Sequence, residues 1–207
     1  FKLVHHTGEK EEVLSELKFF LNSYHERMKL GVPKVPAVEL IELTNDFLRT
    51  LTLLHDQKLI VGDISYSNLI LSRKPNTKNR HRILFLDVDS FRHASKPHPL
   101  GCESTANWWA PEQLANSNPT STFATDVYKA CLVVRRLLHQ SFPSPTDSFS
   151  LKNSEVAGQL LFSHGGKYLH GLVSRGLNKD PSARPKMQEL SYEFQSFVDN
   201  LGNFGSI

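Results

Sequence analysis

The sequence predicts a mostly helical α+β domain with one small β-hairpin near its middle. Apolar residues recur every three or four positions over several long segments, which is typical of amphipathic helices. Two short apolar runs between residues 68 and 86 instead indicate strands. Of the 207 residues, 39% are hydrophobic and 22% are charged, and this composition excludes a chain that is disordered throughout.

Two helices are expected at the start of the chain. The first covers residues 9–30 and ends before Gly31, and the second covers residues 37–56. Pro33 and Pro36 separate the two segments. Both segments carry one apolar face, which in the second helix is formed by Leu40, Leu43, Phe47, Leu51 and Leu54.

A small hairpin is expected next, after a short β-branched run at residues 59–61. Its strands are residues 68–71 and 83–86, and the polar stretch between them forms a long tip at residues 74–79. An irregular segment follows at residues 87–122, because it contains five prolines or glycines.

Three further helices are expected in the second half of the chain. They cover residues 124–138, residues 167–177, and a segment that starts near Pro185, a residue suited to a first helical turn. Residues 139–154 are rich in serine and proline and are expected to form a loop. The apolar stripe of the last helix consists of Met187, Leu190, Phe194, Phe197 and Leu201.

The charge, cysteine and hydropathy patterns exclude several classes of protein. Basic and acidic residues number 24 and 21, a balance too even to indicate a nucleic-acid partner. Cys102 and Cys131 form neither a disulfide framework nor a zinc motif. No apolar run approaches the roughly 18 residues of a membrane span. We therefore expect a cytoplasmic protein with no membrane partner.

Polar side chains cluster at the predicted hairpin. Asp63 precedes its first strand and Asn68 opens it, while Asp87 and Asp89 follow the second strand. Pairing of the strands brings Asn68 and Asp87 to one end, where such oxygen ligands suit Mg²⁺ held together with substrate phosphates. Asp63 could accept a proton from an attacking hydroxyl. Each residue taken alone is better interpreted as a turn former at a strand end, and only the joint pattern favours the metal site.

Five segments, in chain order, resemble motifs of the protein kinase superfamily, in particular of divergent bacterial Ser/Thr kinases. They are Val61-Gly62-Asp63-Ile64-Ser65-Tyr66-Ser67-Asn68 for H-R-D-x-x-x-x-N, Asp87-Val88-Asp89 for D-F-G, Ala110-Pro111-Glu112 for A-P-E, Asp126-Val127-Tyr128 for D-V-W, and Asp180-Pro181 with Arg184-Pro185 for D-P-x-x-R-P. The resemblance covers residues 9–201 and implies the C-terminal lobe of the kinase fold.

The resemblance implies a catalytic role for three residues. Asp63 would be the catalytic base, and Asn68 and Asp87 would bind the Mg²⁺ ions that bridge the ATP phosphates. Asp89, which stands in place of the glycine of D-F-G, would be a weaker additional metal ligand. The reaction implied is transfer of the γ-phosphoryl group from ATP to a protein hydroxyl.

The resemblance also implies structural roles for three more residues. Glu112 would pair with Arg184 and hold the activation segment, residues 87–112, against the lobe. Asp126 would accept hydrogen bonds from backbone amides of the catalytic loop, residues 61–68. Removing only one partner of a buried ion pair such as Glu112 and Arg184 is expected to destabilise the fold.

Departures from the family pattern keep other functions open. Val61 and Gly62 replace the His and Arg of H-R-D, so we expect any activity to be independent of activation-segment phosphorylation. Ser65 and Asp89 also depart from the pattern. A pseudokinase or kinase-derived scaffold is therefore the alternative. A small-molecule kinase of the aminoglycoside phosphotransferase type is a third interpretation, which the A-P-E ending in Glu112 and the terminal Arg184 both disfavour.

The domain organisation implied by the resemblance is incomplete. Residues 1–8 are at most a remnant of the hinge, residues 9–201 are the lobe, and residues 202–207 are a tail. No Gly-rich loop occurs, so half of the ATP site is expected to come from an N-lobe in cis that is absent from this chain. Because the first residue is Phe1, we expect that lobe to have been removed or not covered. The protein substrate is unknown.

Overall fold

A mixed α+β architecture is found in the computed structural model, which describes residues 2–7, 10–17, 29, 37–73, 81–96, 108–115, 120–139 and 164–200. These residues contain five α-helices and two small antiparallel sheets. The α+β class predicted from the sequence is thereby confirmed, with a larger β component than expected.

The larger sheet has four antiparallel strands: β1 (Lys2–Thr7), β2 (Lys10–Glu16), β4 (Leu69–Arg73) and β5 (His81–Phe85). They lie side by side in that order, and β3 (Leu59–Ile60) belongs to the smaller sheet. The predicted hairpin is confirmed as β4 and β5, with Leu69 opposite Phe85. Strands β1 and β2 extend it on the β4 side.

The helix predicted for residues 9–30 is wrong over Lys10–Glu16, which form strand β2. Val13 and Leu14 are the only aliphatic residues among these seven, so the segment has no helical face of its own. Its main-chain groups pair with β1 on one edge and with β4 on the other. Tertiary pairing therefore decides this segment's structure. Residues 18–28 of the predicted helix lie outside the described residues.

The smaller sheet pairs the residues just after the helix Ala37–Asp56 with the segment that follows β5. Strand β3 (Leu59–Ile60) pairs with β6 (Arg92–His93). The amide of Ala94 also donates to the carbonyl oxygen of Lys58 at 2.8 Å. This pairing holds the chain after β5 close to the loop that connects β3 and β4.

Four of the five helices match the predicted segments to within three residues at either end. The helices are α1 (Ala37–Asp56), α2 (Pro111–Leu114), α3 (Phe123–His139), α4 (His164–Gly176) and α5 (Met187–Asp199). Helix α1 packs against α3 and α5, and α4 packs against the same two helices. The predicted apolar face of α1 lies in this core.

Helix α3 is the centre of the fold. Every side chain from position 125 to position 138 is buried. The helix nevertheless carries four ionisable side chains within that stretch, apart from its tyrosine and cysteine: Asp126, Lys129, Arg135 and Arg136. Because a buried charge is unfavourable unless it is paired or hydrogen-bonded, these residues are expected to have specific partners.

Three predicted segments cannot be compared with the structure. The hairpin tip at residues 74–79, the part of the serine- and proline-rich loop after position 139, and the tail at residues 202–207 lie outside the described residues. Among the helices that are described, none combines the length and hydropathy that a membrane crossing requires.

The α3–α4 contact generates a first prediction. Gly176 lies so close to α3 that an added Cβ would overlap the Sγ atom of Cys131, whereas Gly171, in the same helix, has nothing within 4 Å. We expect Gly176→Ala to lower the free energy of unfolding by about 1–3 kcal/mol through overpacking. Gly171→Ala should raise it by up to about 1 kcal/mol. Urea denaturation measures both.

The pair of variants controls for helix propensity, since both replace glycine by alanine in one helix. Adding Cys131→Ala to Gly176→Ala should restore part of the lost stability, because it removes the overlapping sulfur atom. Equal stabilities of the two single variants would contradict the close α3–α4 contact.

Candidate functional site

The candidate site is built around the loop of residues 61–68, between β3 and β4. The loop contains three main-chain hydrogen bonds between residues two or three positions apart: Asp63 N to Val61 O, Ile64 N to Gly62 O, and Asn68 N to Ser65 O, each 3.1 Å long. Val61 and Ile64 are buried in the core. The loop is thus anchored by its apolar side chains, and Asp63 is left half-buried.

Asp63 and Asn68 contact each other directly. The Asn68 Nδ2 donates to Asp63 Oδ2 at 2.7 Å and to the Asp63 carbonyl oxygen at 3.1 Å. Asn68 therefore fixes the side chain of Asp63 and uses one of its two carboxylate oxygens. The Oδ1 atom of Asn68 is a hydrogen-bond acceptor that takes no part in this contact with Asp63.

Asp87 lies beside this pair because β5 ends against the loop. The amide of Leu86 donates to the Asn68 carbonyl oxygen at 2.7 Å. Asp87 then takes a left-handed conformation with φ 51°, and the chain turns into a 3-10 helix, Val88–Ser90. The Ser90 hydroxyl donates to the Val61 carbonyl oxygen at 2.7 Å. This contact holds the segment that follows β5 against the loop.

The electrostatic environment raises the pKa of Asp63. Burial is the largest cause, and the negative charge of Asp87 acts in the same direction. The positive charge of Lys129 and the hydrogen bond from Asn68 oppose the rise without cancelling it. A carboxylate whose pKa lies above the ordinary Asp value is a stronger base, which suits a proton acceptor.

The predicted site residues therefore separate into two groups. Asp63, Asn68 and Asp87 are brought together at the end of the β4–β5 hairpin. Asp89 is exposed in the 3-10 turn, and no described contact joins it to the other three. Asp89 follows Asp87 by two residues, within the 3-10 turn Val88–Ser90.

Two side chains at this point carry oxygen atoms that could hold a metal ion. Within the described residues, no group of three or more His, Cys, Asp or Glu side chains is arranged to hold a metal ion. Asn68 Oδ1 and the exposed carboxylate of Asp87 offer one amide and one carboxylate ligand. Mg²⁺ commonly binds to one or two such groups together with water and substrate phosphates.

Asp126 on α3 holds the start of the loop. Its Oδ2 accepts from the amide of Val61 at 2.7 Å and its Oδ1 from the amide of Gly62 at 2.9 Å. These are the backbone contacts that the sequence resemblance implied. Charged hydrogen bonds in a buried site are strong, so the loop is fixed to the central helix.

Two residues of the site were missed from the sequence. His55, at the end of α1, contacts Asp126 Oδ2 through its Nε2 at 3.0 Å. Lys129, fully buried on α3, donates from Nζ to the Gly62 carbonyl oxygen at 2.8 Å. The spacing of Asp126 and Lys129, three residues apart on one helix, places both on the same face, but nothing in the sequence shows which segment that face meets.

Glu112 and Arg184 form the ion pair that the resemblance implied. Arg184 Nη1 donates to Glu112 Oε1 and Nη2 donates to Glu112 Oε2, both at 2.7 Å. Arg184 also donates to the carbonyl oxygens of Asn178 at 2.8 Å and of Ala124 at 2.9 Å. This arginine connects α2, the start of α3 and the turn before α5.

The segment between Asp87 and Glu112 is described at its two ends only. Residues 97–107 lie outside the described residues. Near the second end, Trp108 is fully buried, with its ring centroid 5.5 Å from that of Tyr66. The guanidinium of Arg136 lies 3.9 Å from the Trp108 ring centroid. The segment therefore returns to the loop and to α3 before it enters α2.

No protein-family model matches the chain. The contacts of the loop, of Asp126 and of Arg184 are therefore the basis on which its function is inferred.

The ion pair of Glu112 and Arg184 generates a second prediction. The Arg184 side chain is fully buried, so removing Glu112 leaves a buried cation without its carboxylate. We expect Glu112→Ala and Arg184→Ala each to lower the free energy of unfolding by about 3 kcal/mol. Urea denaturation of both single variants and of the double variant measures this. The double variant should lose less than the sum of the two, and two neutral single variants would show that the pair is not structural.

A third prediction concerns the pH dependence of stability. Burial alone would raise the pKa of Glu112, but hydrogen bonds from Arg184, its own backbone and Thr125, with the charge of Arg184, hold that pKa below the ordinary value for glutamate. The contribution of ionised Glu112 to the free energy of unfolding is therefore complete above the pKa that Glu112 has in the unfolded chain. It is lost as the pH falls through the lower pKa that Glu112 has in the folded chain. Between about pH 5 and pH 3, the wild type should lose more stability than Glu112→Gln. Parallel slopes in denaturation at each pH would contradict the ionised pair.

Proposed function

We propose that the chain is the catalytic lobe of an ATP- and Mg²⁺-dependent phosphotransferase of the Ser/Thr protein kinase type. It transfers the γ-phosphoryl group of ATP to a hydroxyl group of a protein. The single observation that carries the proposal is the juxtaposition of Asp63, Asn68 and Asp87 at one end of a hairpin, with Asn68 Nδ2 at 2.7 Å from Asp63 Oδ2. These three residue types are the set that phosphoryl transfer of this kind requires.

Asp63 serves as the general base in this proposal. Asn68 Nδ2 donates to Asp63 Oδ2, so Asp63 Oδ1 accepts the proton of the attacking hydroxyl. As the hydroxyl oxygen bonds to the γ-phosphorus, the bond from that phosphorus to the β,γ-bridging oxygen breaks and ADP leaves. The raised pKa of Asp63, caused first by burial, supports the role. The half-buried position also supports it, because the carboxylate is held in place yet reachable from solvent.

Asn68 and Asp87 would hold the metal. When bound, Mg-ATP supplies the phosphoryl group and the cation neutralises the charge that develops on its oxygens. Asp89, exposed in the next turn, is a weaker third ligand in this scheme. An N-lobe in cis would complete the nucleotide site from the other side.

The framework around the loop supports the same proposal. Asp126 accepts from two loop amides, and Arg184 binds both carboxylate oxygens of Glu112. These contacts correspond to the structural roles that the resemblance to protein kinases implies. A loop held by a buried carboxylate has a fixed geometry, and phosphoryl transfer depends mainly on positioning.

A kinase-derived scaffold without activity is the second candidate. The observation that favours it is the 3-10 turn at Val88–Ser90, which begins directly after Asp87 and is tied to Val61 by Ser90. Asp89 stands there in place of a flexible glycine. A segment fixed in this way suits a partner-binding surface as well as a metal site.

A fourth prediction tests the enzyme against the scaffold. In the longest natural chain that contains this sequence, labelled phosphate from ATP should be incorporated into a generic protein substrate or into the chain itself. Asp63→Asn should lower the rate by about 10²- to 10⁴-fold, since a positioned base contributes that much. The matched control is Asp46→Asn, which makes the same change at an exposed position of α1 and should leave the rate unchanged.

Nucleotide binding gives a second measurement of the same proposal. Mg-ATP should raise the melting temperature of the wild type, and the shift should disappear in Asp87→Asn. Incorporation that survives Asp63→Asn would show that the base is misassigned. A folded chain that includes an N-lobe and neither binds Mg-ATP nor transfers phosphate would be a scaffold.

A further inference from the structure

Lys129 is a buried lysine directly behind the candidate site. Its side chain is fully buried on α3, and its Nζ lies 2.8 Å from the carbonyl oxygen of Gly62. Burying an ammonium group is unfavourable, and an apolar residue of similar size would usually stabilise a helix core better. A lysine at this position therefore indicates a requirement for its charge and its hydrogen-bond donors.

One partner of Lys129 is Gly62, which helix α3 holds through both of its main-chain polar groups. Asp126 Oδ1 accepts from the Gly62 amide at 2.9 Å, and Lys129 Nζ donates to the Gly62 carbonyl oxygen at 2.8 Å. One face of one helix thus fixes a single loop residue from two directions. Gly62 is held at φ 78°, a conformation that side-chain-bearing residues rarely adopt.

The carbonyl group of Gly62 belongs to the same planar peptide unit as the amide of Asp63. A hydrogen bond to that oxygen therefore fixes the plane from which Asp63 begins. The amide of Asp63 in turn donates to the Val61 carbonyl oxygen at 3.1 Å. Lys129 consequently acts on the orientation of Asp63 without any need to touch a substrate.

We propose that Lys129 is a positioning residue for Asp63, and that it orders the loop from inside the core by holding the Gly62 carbonyl group. The role deepens the proposed phosphotransferase and rests on it. The contact with Lys129 also gives a reason why the loop can be ordered without an arginine at position 62. In the kinase motif, that arginine would bind a phosphate group on the activation segment. The Lys129 side chain on α3 holds the same backbone from behind.

The test is Lys129→Met in the full natural chain, compared with Lys129→Arg and with Val133→Ala. Methionine keeps the length but removes the charge and donors, whereas arginine keeps both. Val133 is fully buried one turn further along α3, so its truncation destabilises the same helix without touching Gly62. Steady-state phosphoryl transfer gives kcat and KM, and thermal melting gives stability.

We expect Lys129→Met to lower kcat by about 100-fold, the cost of a small misplacement of a reacting group. KM for Mg-ATP should stay within about 2-fold, because nucleotide binding is not altered. Lys129→Arg should recover part of kcat, and Val133→Ala should keep kcat while losing stability. A folded Lys129→Met with normal kcat would overturn the proposal, as would a kcat loss shared by Val133→Ala. If the Met variant fails to fold while Val133→Ala folds, the lysine is structural and the proposal is also overturned.

Hydrogen exchange separates this inference from the proposed activity. If the wild-type chain transfers no phosphate, the proposed function fails, but exchange at the amides of residues 61–64 still reports on Lys129. Faster exchange there in Lys129→Met than in Val133→Ala would support loop positioning in a protein of another function. Equal exchange in the two variants would overturn it.

Discussion

The hydrogen bonds of the Asp126 carboxylate are the interaction on which the candidate site depends. Its two oxygens accept from the amides of Val61 and Gly62, and His55 contacts the same group from α1. A carboxylate that is fully buried must be satisfied by such partners. The loop backbone provides them, so the need to satisfy one charge fixes the conformation of the loop. The position of Asp63 is therefore set by the backbone of the loop.

The same helix also organises the second half of the framework. Arg184 donates to Glu112 and to the carbonyl oxygen of Ala124, next to the first buried turn of α3. Its guanidinium lies 4.8 Å from the ring centroid of Tyr128 on α3. Helix α3 therefore fixes the loop through Asp126 and the segment before α2 through this arginine. The two ends of the candidate active region are held by one helix, whose side chains from position 125 to position 138 are all buried.

The chemistry of the site follows from how much of each side chain this framework covers. Asp63 is half-buried, and burial is the main cause of its raised pKa. Asn68 is oriented by Asp63, whereas Asp87 is exposed at the end of the hairpin. For the proposed function, this arrangement places the base below the surface and the oxygen ligands at the surface. That arrangement suits a substrate that brings its own anionic oxygens and cation, as a magnesium nucleotide does.

The sequence by itself determined the helices α1, α3 and α5 and the β4–β5 hairpin, because their apolar periodicity is long and regular enough to select one structure. It also contains Asp63, Asn68 and Asp87 at the intervals on which the resemblance to protein kinase motifs rests. Tertiary structure decided the strand at Lys10–Glu16, whose hydrogen-bond partner β4 lies more than fifty residues away. It also decided the role of Lys129, which in the sequence is only a polar interruption of an apolar helix. A buried polar contact is defined by two segments at once, and a single stretch of sequence contains one of them.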